Sequence, residues 1–359
     1  RLLKGAITST TFYQIGTGQE LKRDYVFQET TPGKGNYIYR NDDNKNGVKD
    51  RDEYALAVFA DTAKYIKIYI PGIDFIKTYS NEFNEVINLT PDAIISGDNG
   101  WKNFITRWSN LFSMQLSQKT LKDSSTSEYA FLNPFYQNVQ DASLISTQSI
   151  YRNTLFFNRN KSKFGFDLTV LNSKLKTLLT EGFDYKTNTE GGLNTRWDIT
   201  QTYSLNFLSK RGRKINSSVL KTQNFEILYL ELEPRFIIQP TSTFRISFFY
   251  NHNNKVNEIG LKEEVQHQMS GTEIKYNTLK AGSIQAKFNY NFIKYTGDQN
   301  TSVGYELLEG LRPGGNMTWG LTLQRSLSNS TQLSLNYEGR KSEDIPVIHT
   351  GGIQLRAFF

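Results

Sequence analysis

Residues Ile348 to Phe359 read I-H-T-G-G-I-Q-L-R-A-F-F and end the sequence. Ile353, Leu355, Ala357 and Phe359 are apolar or small. Gly352, Gln354 and Arg356, between them, are polar or neutral, with Phe358 the exception. Alternation of period two describes a strand with one apolar and one wet face. The fold therefore depends on how often this strand recurs upstream.

It recurs throughout. Leu333, Leu335 and Tyr337 share a parity, as do Trp319, Leu321, Leu323 and Leu327. Ile284, Ala286, Phe288, Tyr290 and Phe292 alternate with Gln285, Lys287, Asn289 and Asn291. Phe244, Ile246, Phe248 and Tyr250 form another series, and Leu228, Leu230 and Leu232 face away from Tyr229, Glu231 and Glu233. Further series run through Trp197, Ile199, Tyr203, Leu205 and Phe207, and through Phe164, Phe166, Leu168 and Val170. Phe104, Trp108, Phe112, Met114 and Leu116 predict a strand over Lys102–Lys119; Phe75, Tyr79, Phe83, Ile87 and Leu89 predict one over Asp74–Thr90. Weaker strands are placed near Ser146–Asn158, Leu178–Glu190 and Met269–Lys280, and a first strand over Leu2–Ile15, bringing the number to about 14.

The segments run to about ten residues or more, the length of a tilted membrane-spanning strand and about twice that of most soluble ones. Connections alternate too. Ser328–Ser330, Leu279–Ser283 and Gln239–Ser242 are tight; Lys341–Val347, Gly297–Gly314 and Asn254–Met269 are longer. Tight turns on one side and long loops on the other are the pattern of outer-membrane β-barrels. The expected fold is all-β: an antiparallel transmembrane barrel over 74–359, with residues 1–73 supplying a first strand and a large extracellular excursion.

Composition agrees. Apolar residues are 37% of the chain while aromatics reach 13%, which suits a thin shell that is greasy outside and wet inside. No window approaches 18 apolar residues, Tyr54–Ala60 being the best short run, so a spanning helix is excluded and a spanning strand is not. There is no cysteine, hence no disulfide framework and no thiolate chemistry. The net charge of +7 is scattered rather than gathered into a stripe, so a nucleic-acid partner is not expected. The N-terminal R-L-L-K-G-A-I-T-S-T-T-F-Y is strand-like and is not a signal peptide, so the chain is expected to be a mature or truncated part of a longer one.

Within the excursion, Asp42 to Glu53 matches D-x-[DN]-x-[DN]-G-x5-E in full. A hard cation takes six or more oxygens, and a short loop bent at Gly47 can supply them. Asp42, Asn44, Asn46 and Glu53 are the side-chain candidates, with the Val48 carbonyl and Asp50; the competing reading is a solvated acidic turn. The flanks are poor helices, although a short one is expected over Glu53–Lys64, so a structural calcium ion is favoured over a sensor hand.

Arg107, Arg196, Arg235, Arg245, Lys287, Arg340 and Arg356, with Glu231, Glu233 and Glu338, fall on the wet parity. They are a solvated wall, a basic constriction or a seat for a plug. Arg325 shares its parity with Leu323 and Leu327 but lies close to the Ser328 turn, near headgroup depth, where a charge costs little. His252, His267 and His349 show no metal spacing, and His349 is the one candidate for a Ser–His hydrolase. Gly310–Gly315 lacks the Lys-Ser/Thr of a phosphate loop. No enzyme activity is expected.

An amphipathic last strand ending in Phe resembles the terminal strand of bacterial outer-membrane β-barrels. Gly33-x-Gly35-x-Tyr37 with the acidic loop and Asp52-Glu53-Tyr54 resembles large outer-membrane proteins of the Bacteroidota. So do Leu308-Glu309-Gly310-Leu311-Arg312-Pro313-Gly314, Asn336 to Glu343, and His349-Thr350-Gly351-Gly352. The resemblance implies the C-terminal barrel of a longer protein, in contact with outer-membrane lipid and lipopolysaccharide and with protein partners in an envelope complex. The leading expectation is a subunit or anchor of such a complex. The alternatives are a diffusion channel and a secreted calcium-binding adhesin.

Overall fold

A computed structural model of the protein describes residues 2–31, 34–42, 45–57, 63–95, 100–122, 138–159, 163–278, 282–299, 301–328, 330–343 and 345–357. One sheet gathers sixteen strands. They are β1 (Ile7–Glu29), β2 (Tyr37–Tyr39), β3 (Tyr54–Leu56), β4 (Tyr65–Leu89), β5 (Trp108–Leu121), β6 (Leu144–Phe157), β7 (Phe164–Leu179), β8 (Gly182–Asp198), β9 (Tyr203–Ser217), β10 (Phe225–Ile238), β11 (Phe244–Asn257), β12 (Glu264–Thr278), β13 (Gly282–Thr296), β14 (Gly314–Ser328), β15 (Thr331–Ser342) and β16 (Ile348–Ala357). Two short helices, α1 (Gly100–Thr106) and α2 (Ser302–Leu308), lie in connections. No described helix is long and apolar enough to cross a membrane, which says nothing about strands.

From β4 to β16 each strand pairs antiparallel with the next in sequence, and β1 pairs with β4. Fourteen strands have ten residues or more; β2 and β3 are short additions. β1 and β16 run in opposite directions and share no ladder among the described residues.

Register puts the alternating residues on continuous faces. One row crosses Leu205, Phe236, Phe248, Thr272, Phe288 and Trp319. The neighbouring row crosses Ser247, Glu273 and Lys287 on the other face. Burial is inside-out for a protein in water: Phe288 is 46% exposed whereas Asn291, three residues on, is 2% exposed. Ile274, Ile284, Tyr290 and Leu321 join Phe288 as exposed, and Ser247, Asn251, Glu273 and Asn289 are buried. An apolar belt of this extent finds its favourable partner in hydrocarbon. On the polar face, Tyr229 lies flat across Gly212 and donates to Glu190 at 2.7 Å. A Cβ on Gly212 would meet that ring at 2.5 Å, so only glycine allows the ring to cover the strand.

The sheet curls around its polar face. The connection 297–313 reaches Lys214 of β9, Lys255 of β11 and Arg340 of β15. A short segment touches strands so far apart in strand order only if their common face is concave.

Several boundaries differ from expectation. The first strand, expected to end at Ile15, continues through Gly16–Gly18, which pair with Thr78–Ser80, and on to Glu29. Glycine without a competing partner bends, but a partner strand supplying hydrogen bonds keeps it extended. β4 starts at Tyr65, so the division expected at 73/74 falls inside a strand. The helix expected over Glu53–Lys64 is replaced in its described part by β3, whose Tyr54 faces Tyr39 of β2; residues 58–62, Val58 among them, lie outside the described residues. Phe104 sits on α1, and β5 begins only at Trp108. β8 ends at Asp198, just after Trp197, and Tyr203 starts β9, so the series through Ile199 crosses a turn. Met114 and Leu116 share the apolar face yet are buried. The tight connections at 199–202 and 239–243 lie at one end with the C-terminus; the two-residue turn after Leu179 and the long connection 90–107 depart from strict alternation.

Candidate functional site at the loop end of the polar face

Towards the long-loop end the faces exchange character. Ile227, Val265 and Ile293 lie on the otherwise polar concave side, and all are buried. They receive Val303, Leu307 and Leu308 from α2, with Phe225, Tyr295 and Leu311 at the margin. α2 is capped by Thr301, whose hydroxyl accepts the Gly304 N–H at 3.0 Å, and it ends on left-handed Glu309 and Gly310. Glu306 pairs with Lys214 at 2.9 Å, Glu309 pairs with Lys255, and the Gly310 carbonyl accepts from Arg340. The connection expected to be a long outer loop is therefore folded into the concavity. Its clue in the sequence was Ile293, an apolar residue on the wet parity beside Phe292.

A second element crosses the same end. β4 leaves β5 above Thr78, and the β1–β4 hairpin continues alone. Between Leu21/Phe75 and Arg23/Pro71 the β4 side carries extra residues. Gly72 sits there against the Lys22 carbonyl, where a Cβ would come within 2.6 Å. Such a bulge bends a hairpin. Beyond the bend, Arg23 bridges to Leu179 and its carbonyl accepts the Thr180 N–H at 2.9 Å. Lys67 pairs with Asp184 of β8 at 3.0 Å, both side chains being largely buried. The hairpin tip thus rests on the β7–β8 turn instead of standing clear of the sheet.

The acidic loop hangs from this tip. β2 and β3 close it as a small hairpin packed on Phe27, which stacks on Tyr54 at 4.2 Å. Asp42 accepts the Asn46 and Gly47 N–H groups at 3.0 and 2.7 Å, and Gly47 takes the positive φ, 74°, that the bend requires. Asn46 donates to Asp50 at 2.8 Å; Glu53, buried, accepts from the Asp50 N–H and from Tyr39. Val48 is exposed, and Asn44 lies outside the described residues. Arg51 chelates Asp24 of β1 with two contacts, 2.7 and 2.8 Å. That guanidinium holds the Asp24 carboxyl below its ordinary range, against the opposing effect of burial.

Of the wet-parity charges, Arg235 bridges Glu233 and Glu273, and Lys287 lies over the Phe249 ring. Arg107 precedes β5 and lines a polar cavity of about 380 Å³ at the tight-turn end, with Asn88, Asn103 and Asn158. Arg325 is exposed. The histidines do not meet. His267 is buried on the concave side, bonded to Asn291; His349 accepts from or donates to Tyr337 at 2.8 Å on the outer side.

No protein-family model matches the chain, and no curated protein does. Among solved structures, it is similar to the crystal structure of the Pseudomonas putida toluene transporter TodX, at 11% identity and a TM-score of 0.26, over 79% of this chain and 83% of that one. A likeness this loose carries no argument, and the functional reading rests on the chain's own geometry.

Proposed function

We propose that the chain forms the wall of an outer-membrane β-barrel whose lumen is a passage, closed at its outer mouth by the hairpin tip and the 297–313 segment. The observation that supports this most is the charged concave face crossed by α2. A pure anchor has no need of a polar interior, or of a segment clipped to it by separable ion pairs. In this reading β1 and β16, antiparallel and with open edges, complete the wall. Planar-bilayer recording of the reconstituted protein tests it. Small or rare openings are expected from the native chain and larger ones from the paired change Lys255→Gln with Lys214→Gln. Silence from both rejects the passage.

The edges of β1 and β16, which share no ladder among the described residues, also favour the second reading, a subunit of an envelope complex, because an unpaired edge accepts a partner's strand. Extraction in mild detergent followed by mass spectrometry separates the two: stoichiometric partners support the complex, and a lone barrel the passage.

The loop 42–53 is proposed to hold calcium. The support is the full match of Asp42–Glu53 to a calcium-loop sequence; among the described residues the carboxylates form no metal-holding cluster, and Asp42, Asp50 and Glu53 are instead engaged by N–H donors of Asn46, Gly47 and Asp50. Bound calcium would neutralise these carboxylates and fix the tip. Titration calorimetry with Asp42→Ala and Glu53→Ala checks this; heats unchanged in both variants remove the site.

A further inference from the structure

The concave face is largely polar, yet Ile150 and Leu175 stand on it 41% and 46% exposed, and by register Phe12 and Val86, on β1 and β4, are exposed there too. They are neighbours, since Leu175 pairs with Gln148 and Ser173 with Ile150. The same row continues from Leu175 to Lys186, Asn216 and Phe225. Together with Lys214 and Glu306 these residues line a cavity of about 380 Å³. Its apolar patch adjoins the platform under α2: Ile150 and Leu175, on β6 and β7, are not part of that core, while Phe225 packs at its margin. The lining charge is uneven. Of its three lysines, Lys174, Lys186 and Lys214, the last is paired with Glu306 at 2.9 Å, whereas Lys186 has no ion-pair partner among the described residues.

Apolar side chains held open to water beside an uncompensated ammonium suit one class of ligand. We propose that this cavity binds a small anionic amphiphile, its carboxylate or similar head on Lys186 and its short apolar tail against Ile150, Leu175 and Phe225. The inference rests on the passage reading and names what the passage admits. Burial of the tail removes the exposed apolar surface from water, and the head supplies the missing charge. A cationic amphiphile of the same length meets Lys186 unfavourably. Glu306 is within the same lining, so an occupied cavity lies against the ion pair that clips α2.

The probe is octanoate, titrated calorimetrically into the protein in lipid nanodiscs, with empty nanodiscs subtracted and octylamine as the counter-probe. Saturable binding of octanoate is expected, weaker by about tenfold in Leu175→Gln and in Lys186→Gln, with none for octylamine. Both substitutions place polar residues on a polar face; a heat-modifiable gel shift verifies their folding, and Ile150→Asn replaces either that fails. The proposal is overturned by the lack of saturable octanoate binding, by native affinity in the variants, or by equal binding of octylamine. Conductance without octanoate binding rejects this site and leaves the passage standing; binding without conductance does the reverse.

Discussion

The two ends of the same strands teach opposite lessons. Near the tight turns, β12 and β13 turn Ile274, Tyr276, Ile284 and Phe288 outward and keep Glu273 and Asn289 inside. Near the long loops the same strands turn Val265 and Ile293 inward, while Glu264 and Lys294 face out. The backbone period is unchanged; only the medium on each side differs. In the proposed barrel the outer side near the tight turns meets hydrocarbon, and apolar residues go out. Where the outer side meets water and the inner side meets α2, they go in.

The largest test of that comparison is a charge on the belt. Leu321→Arg is expected to cost about 2–4 kcal/mol at mid-depth and to abolish the heat-modifiable folded form. Gln324→Arg, on the opposite parity, is expected to preserve it. Equal tolerance would erase the distinction between the faces.

At the loop end the expected effect is local. Leu307→Ala removes the buried contact of α2 with Ile227, Val265 and Ile293, at about 2–5 kcal/mol to the docked segment. Limited proteolysis should then cut within 297–313 while the strands stay protected. A segment no easier to cut than in the native chain would show that the apolar platform does not hold α2.

The hairpin tip should respond less. Asp184→Asn weakens the pair with Lys67, at about 1–3 kcal/mol, and hydrogen exchange should quicken over 23–29 and 65–70 but not over 7–20. Uniform quickening would mean that the hairpin opens as one unit and that the bulge at Gly72 does not divide it.

The smallest effect is on pH. Asp24 has its folded-state pKa depressed by Arg51, so its contribution is present above the ordinary carboxylate range and is lost as pH falls through the depressed value. Exchange at 50–54 should therefore rise on acidification, and Asp24→Asn should remove that dependence. A rise that persists in Asp24→Asn would assign it to another carboxylate.

Much of this architecture was readable from residue order. Ile284 to Phe292 against Gln285 to Asn291 determined a strand and its two faces, because side chains on an extended backbone must alternate, while β13 runs further at both ends, over Gly282–Thr296. Repetition of that pattern settled an all-β chain with fourteen long strands. The match at Asp42–Glu53 marked a loop bent at Gly47, since the bend needs a positive φ that glycine adopts freely. What residue order left open was decided by neighbours in space. Gly16 stays extended because Ser80 faces it, and Tyr54 joins a strand because Tyr39 lies beside it. α2 turns inward because Ile227, Val265 and Ile293, from three separate strands, meet only when the sheet curls. Ile150 and Leu175 become a candidate site only when Lys186 and Phe225 are brought into the same row. Alternation is a local property of the backbone; which medium each face meets depends on segments far away in sequence.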